Sequence, residues 1–337
     1  MLWTRGVAAR ETLSYLDRRG IDAEPALFEA GLSRRQLSPD DSGLSVASQY
    51  RFLELAAQEA NDQLLGLHVA AEMDMRAIGV LFYLTGSSRT VSEALENFAR
   101  YSQTTNEALI VEISRLKDEV ILTIRQVEEL HEPHRQFFEL LALWFVRTLR
   151  RETNRNFAPL RITFTHTRNA NQREVYRLLR CPVDFGQAVD SWVLPQRAMD
   201  LPIVFGDSYL LRILTAYAED LLAERHSATA LQRMVASQLA SLLSSGELGA
   251  AAVARRLGMS TRSLTRQLAE EGTTFGEIRE RLRQRLAARY LADHRLSIQQ
   301  IAWLLGYAEP GAFSHAFKRW TGTSPRQARK QQPSPAP

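Results

Sequence analysis

Apolar residues recur at three- and four-residue spacing over Ser45 to Ala60 (Phe52, Leu55, Ala56) and over Arg135 to Arg151 (Phe137, Leu140, Leu141, Trp144). That period predicts two amphipathic helices. Leu109 to Ser114 and Val120 to Gln126 alternate apolar with polar residues around Lys117-Asp118, which predicts a β-hairpin. Leu160 to Thr165 reads as a further strand. Prolines and glycines between Pro182 and Gly206 predict turns and short extended pieces, before a long helix opens near Asp207 and runs to Arg225. Residues 1–205 are therefore expected to form an α+β domain and residues 206–228 a helical connector, with the inter-domain joint at His226 to Thr229.

From residue 229 onward the pattern is helical, and it repeats. Val253-Ala254-Arg255-Arg256-Leu257-Gly258 returns 48 residues later as Ile301-Ala302-Trp303-Leu304-Leu305-Gly306. Each copy ends a short helix with a glycine that can take a positive φ, after an alanine small enough for a second helix to cross close by. A second helix follows in each. Leu264 and Leu268 share one face in the first copy, Phe313 and Phe317 in the second. Ser260 suits the N-cap of one and Pro310 the first turn of the other. Between the copies, Phe275 to Ala292 places Ile278, Leu282, Leu286 and Tyr290 on one face and Arg281, Arg285 and Arg289 on a neighbouring one. A single helix-turn-helix pattern also occurs in ordinary helical hairpins, whereas two at this separation point to DNA. The helix between them, at 1.5 Å per residue, spans roughly 27 Å, which with its turns suits successive major grooves about 34 Å apart. The expected layout is residues 229–330 as one domain, with helix-turn-helix units at about 250–271 and 297–320 and a linker helix at about 275–292. The Pro- and Gln-rich tail at 331–337 is expected to be disordered.

Charge sharpens this picture once it is divided. The 337 residues carry a net charge of only +4, but Thr229 to Pro337 holds 16 Lys/Arg against 7 Asp/Glu, while the remainder is net acidic. The basic half suits a polyanion, although a solvated arginine-rich helix surface would give the same count. No apolar stretch is long enough to cross a membrane, and Met1 to Arg10 lacks the apolar core of a signal peptide, so the cytoplasm is the expected compartment. The only cysteine, Cys181, excludes an intrachain disulfide and a multi-cysteine zinc site, and a buried inert thiol is favoured over a redox sensor. His131 and His134 flank Glu132-Pro133, where the proline favours a surface turn over a zinc-binding helix. No phosphate-cradling glycine loop and no nucleophile elbow occurs, so an enzyme is not expected.

The two units, the joining helix and the run from Gly306-Tyr307 through Phe313 and Phe317 to Gly322-Thr323-Ser324-Pro325 resemble the AraC/XylS family of transcription regulators. Cys181-Pro182-Val183-Asp184-Phe185 and Asp200-Leu201-Pro202 resemble the arabinose-binding-type N-terminal domain of one branch, a domain name that does not identify a ligand. The resemblance implies an α+β N-terminal sensor-like domain followed by an all-α DNA-binding domain with two helix-turn-helix units joined by a linker helix. It places base-facing positions at Arg262, Thr265 and Arg266 in the first unit and at Pro310, Gly311, Ser314 and His315 in the second. Lys318, Arg319 and the linker arginines suit phosphates, with an exposed structural role an equal alternative for any single arginine. Many relatives carry Arg where His315 stands, and Pro310 and Gly311 offer no side-chain donor, so the first unit is expected to supply more of the base readout. The expected partners are double-stranded DNA, a small-molecule effector, a second copy of the chain and, if it activates, RNA polymerase, with no cofactor. A domain that only dimerises is the competing reading of residues 1–205, and activation and repression stay open.

Overall fold

A computed structural model of the chain describes residues 2–37, 43–127, 133–227, 230–242, 248–292, 296–307 and 309–331. It divides into two units, residues 1–226 and 227–337. The expected joint at His226 to Thr229 includes residues 228 and 229, which lie outside the described residues, as do His131 and residues 332–337 of the tail.

In the first unit the chain runs β1 (Trp3–Thr4), α1 (Val7–Arg18), α2 (Glu24–Glu29), β2 (Leu44–Ser45), α3 (Val46–Glu59), α4 (Leu65–Glu72), α5 (Val80–Ser87), α6 (Val91–Tyr101), β3 (Leu109–Arg115) and β4 (Glu119–Gln126). It continues through α7 (Arg135–Thr153), β5 (Arg161–Thr163), α8 (Gln172–Leu179), β6 (Val183–Asp184), β7 (Asp190–Pro195) and α9 (Ser208–Ser227). Local chemistry sets several boundaries. Ser45 caps α3 by accepting from the Ser48 amide, Thr90 caps α6 through the Glu93 amide, and Asp207 accepts from the amides of Tyr209 and Leu210 as α9 opens.

The hairpin of β3 and β4 is antiparallel, with Leu109 opposite Gln126 and Arg115 opposite Val120. It forms one edge of a five-stranded sheet in the order β3-β4-β7-β5-β6, antiparallel except for the β5–β6 pair. Val120, Leu122 and Ile124 alternate into the core, as the period predicts. The core is aromatic at its centre: the Phe145 and Trp192 rings lie 4.4 Å apart, and Phe98 is 6.1 Å from both Trp144 and Trp192.

The structure corrects one expectation. Asp190–Pro195 is the central strand, not a short extended piece among turns, and residues 190 to 194 are buried in succession, which erases the two-residue period by which a strand is read. Cys181 is buried just ahead of β6, and desolvation pushes its thiol up to about 12, as suits an inert core residue. His134 packs as an aromatic, 4.8 Å from the Phe138 ring. By its packing α9 belongs to this unit, with Ala218 in the core and Leu211, Leu214, Leu221 and Leu222 against it.

The second unit is wholly helical among its described residues: α10 (Ala230–Leu242), α11 (Ala250–Arg256), α12 (Thr261–Glu270), α13 (Phe275–Ala292), α14 (Ile298–Leu304), α15 (Pro310–Thr321) and α16 (Pro325–Gln331). It has two small cores. Val235, Leu239, Val253, Leu264 and Leu268 build one, and Ile301, Leu305, Phe313 and Phe317 the other. The linker helix α13 enters both, giving Ile278 and Leu282 to the first and Ala287 and Leu291 to the second, with Leu286 packed against each.

Candidate nucleic-acid interface

The repeat in the sequence is a repeat in backbone geometry. Gly258 and Gly306 take φ of +66° and +69°, a region where a Cβ is strained. In the first copy the Met259 amide donates to the Ala254 carbonyl and the Gly258 amide to the Arg255 carbonyl; in the second, Tyr307 donates to Ala302 and Gly306 to Trp303. These paired bonds close the last turn of α11 and of α14 in the same way. Ala254 and Ala302 are both buried. Ser260 then caps α12 by accepting from the Ser263 amide, while Pro310 occupies the first turn of α15 and Ser297 forms a capping box with Gln300 at the start of α14.

Each second helix turns its apolar side inward and leaves its polar side open. Leu264 and Leu268 are fully buried on α12, while Arg262, Thr265 and Arg266 are exposed. Arg266 lies 3.7 Å from Glu270 in a solvent-facing pair, loose enough to be exchanged for a base edge. On α15, Pro310, Gly311, His315, Lys318 and Arg319 are exposed, and Ser314 is half-buried with its hydroxyl donating to the Pro310 carbonyl at 2.9 Å. The two helices therefore offer unequal chemistry. α12 presents two guanidinium groups, and the leading turn of α15 presents none.

Sequence reasoning missed how the arginines of α13 are used. Arg283 donates to the carbonyls of Leu305 and Gly306, Arg279 reaches the Leu248 carbonyl at 3.4 Å, and Arg281 donates to the Thr273 hydroxyl at 3.0 Å. Burial lowers the pKa of Arg283, whose guanidinium lies 4.2 Å over the Tyr307 ring. Arg319 likewise pairs with Glu280, whose carboxyl is held below its ordinary value, first by the hydrogen bond from the Trp320 indole at 3.0 Å and then by Arg319 itself. These groups brace the turns and the linker helix. The periodicity of α13 could assign them to a polar face but not reveal the carbonyls opposite.

Two helix-turn-helix units on one shared helix, each with its second helix polar on the open side, define a DNA-binding regulator. Residues 20–203 match the family described as the arabinose-binding domain of AraC transcription regulator, N-terminal, and residues 253–331 match a helix-turn-helix domain family. The chain is 30% identical over 333 residues to the HTH-type transcriptional regulator VirS of Mycobacterium tuberculosis, covering 96% of both proteins. It is 25% identical over 328 residues to the ornithine utilization regulator of Pseudomonas aeruginosa, covering 96% of this chain and 95% of that one. Among solved structures, the transcriptional regulator CdpR from Pseudomonas aeruginosa aligns with a TM-score of 0.44 at 24% identity, covering 91% of this chain and 96% of that one. The chain belongs to the AraC family of transcription regulators, in the branch with an arabinose-binding-type N-terminal domain.

Proposed function

We propose that this regulator reads a specific operator chiefly through α12, with Arg262, Thr265 and Arg266 at base edges. Pro310, Gly311, Ser314 and His315 of α15 approach the next major groove, and Lys318 lies at the backbone. The observation that carries this reading is the open polar face of α12 opposite Leu264 and Leu268, behind a turn repeated bond for bond in the second unit. Arg319 has a divided role, braced by Glu280 yet exposed toward a phosphate. The protein acts in the cytoplasm without catalysis of its own, and at promoters that it activates RNA polymerase is a further partner. Footprinting of the full chain on its operator tests the arrangement. Protection over roughly two helical turns is expected, and protection of a single groove overturns it.

The first unit is proposed to sense a small molecule and to pair with a second copy. Control by a metabolite is supported by a relative named for ornithine utilization. Pairing is supported by α9, where Tyr209, Ile213 and Tyr217 are 65%, 47% and 50% exposed and follow one another at four-residue spacing. Beside that ridge runs another, Arg212, Ala216 and Asp220, also exposed, with a small residue between opposite charges. Arg212 and Asp220 are about 12 Å apart along the helix axis. An antiparallel copy crossing at Ala216 brings Arg212 of each helix toward Asp220 of the other, the self-complementary pattern that a two-fold interface requires.

A further inference from the structure

Three nitrogens from two side chains of the first unit converge on one carboxylate oxygen. Glu139 of α7 accepts at Oε1 from Nε and Nη2 of Arg168, at 3.1 and 2.5 Å, and from Nε2 of His166 at 2.9 Å. The other end of each group is buried without a hydrogen-bond partner: Oε2 of Glu139, Nη1 of Arg168 and Nδ1 of His166. The side chains of Glu139 and Arg168 are 0% and 2% exposed, so bulk water does not solvate these ends. Overloading one oxygen while its twin stays bare is an arrangement that buried polar groups avoid unless something else completes it.

The unpartnered set has a definite chemistry. A neutral imidazole that donates through Nε2 to the carboxylate leaves Nδ1 of His166 an acceptor, as is Oε2, whereas Nη1 offers only donors. A completing molecule must therefore donate to two acceptors, one of them anionic, and accept from a guanidinium. An ammonium group meets the first demand and a carboxylate the second. Carried together they add no net charge to a pair that has none, which keeps the cost of burial down. The cluster also lies beside an opening. Phe185 sits 5.5 Å from the His166 ring and 5.9 Å from the Arg168 guanidinium, and it walls a cleft of about 410 Å³ with Gln172, Arg173, Tyr176 and Val183. Gln172 of that wall donates to the Arg168 carbonyl at 3.2 Å.

The geometry points to a binding site for a free α-amino acid, its ammonium group at Glu139 and His166, its carboxylate at Arg168, and its side chain directed past Phe185 into the cleft. This gives the effector reading a place and a ligand class, and it rests on that reading for its regulatory meaning.

The common L-amino acids are tested on the full chain by thermal shift, each beside its decarboxylated amine and its N-acetyl derivative. At roughly 100 times its Kd, one of them is expected to raise the Tm by about 5 °C or more, with neither derivative matching it. Glu139→Gln abolishes the shift. In the wild-type chain the ¹⁵N resonance of His166 Nδ1 moves on titration, a readout that stands even where the variant does not fold. No shift with any amino acid, or a shift with the His166 resonance unmoved, overturns the site. Binding that moves His166 and leaves operator affinity unchanged keeps the site and removes its regulatory role. A different metabolite that alters operator affinity while the amino acids leave His166 unmoved keeps the effector reading and removes this site.

Discussion

The guanidinium of Arg283 and the carbonyl of Gly306 meet at 2.9 Å, so that a side chain of the linker helix holds the turn of the second helix-turn-helix unit. Its Nε reaches the adjacent Leu305 carbonyl at the same distance. Arg283→Met keeps the aliphatic stem over Tyr307 but leaves both carbonyls unmatched. A loss of about 2 to 3 kcal/mol is expected, the scale of hydrogen bonds to a charged group. Hydrogen exchange should localise it to the amides of Gly306 and Tyr307. Equal exchange there in both proteins, with unchanged melting, would return Arg283 to the DNA-facing surface.

Arg266→Ala should leave melting unchanged, because the side chain is exposed and its pair with Glu270 is a surface one. Specific operator binding should weaken by about 1 to 3 kcal/mol, with little change on scrambled duplex. Lys318→Ala should instead weaken both duplexes alike and flatten the salt dependence. Equal losses on operator and scrambled DNA for Arg266→Ala would reassign that residue to phosphate.

Glu152 gives the first unit a pH dependence. It is buried, its Oε1 accepts from Thr85 at 2.8 Å, and desolvation raises its pKa from 4.5 to about 7. A carboxyl shifted upward favours folding while protonated, so its contribution is complete below pH 4.5 and is lost as the pH rises through 7. At 1.36 kcal/mol per unit this amounts to about 3 kcal/mol. Melting temperature should therefore decline between pH 5 and 8 in the wild type more steeply than in Glu152→Gln, which stays neutral. Parallel curves for the two proteins would show that Glu152 is ionised throughout.

Charge reversal on α9 tests the proposed pairing. Arg212→Asp should lower the dimer fraction measured by sedimentation, as should Asp220→Arg, since each sets like charges opposite one another. The double variant should recover it. Ile213→Asp should break the pair without recovery, and a wild-type chain that stays monomeric at high micromolar concentration removes the interface altogether.

The second unit was readable because its chemistry is local. Gly258, Gly306, Ser260 and the pairs Leu264/Leu268 and Phe313/Phe317 act within a few residues of themselves, and the structure gives each the expected conformation or burial. In the first unit the hairpin and α3 and α7 carried their periods openly, but α1, α2 and α4 to α6 went unread. α5 shows why: nearly every residue in Val80–Ser87 is apolar or small, so no face stands out. The site divided along the same line. Which residues of α12 and α15 face outward follows from helical spacing. That Arg283 would be spent on carbonyls 22 and 23 residues away, or that Glu139 would gather His166 and Arg168, depends on tertiary neighbours that no local period encodes.

Because α13 is common to both small cores, its length acts as a phase angle as well as a distance. Deleting one residue between Leu282 and Ala287 would draw the units together by about 1.5 Å and turn one against the other by about 100°. The displacement is trivial on the scale of a DNA turn, but the rotation would swing a reading helix off its groove. Drift in the number of residues along α13 is thus penalised through angle.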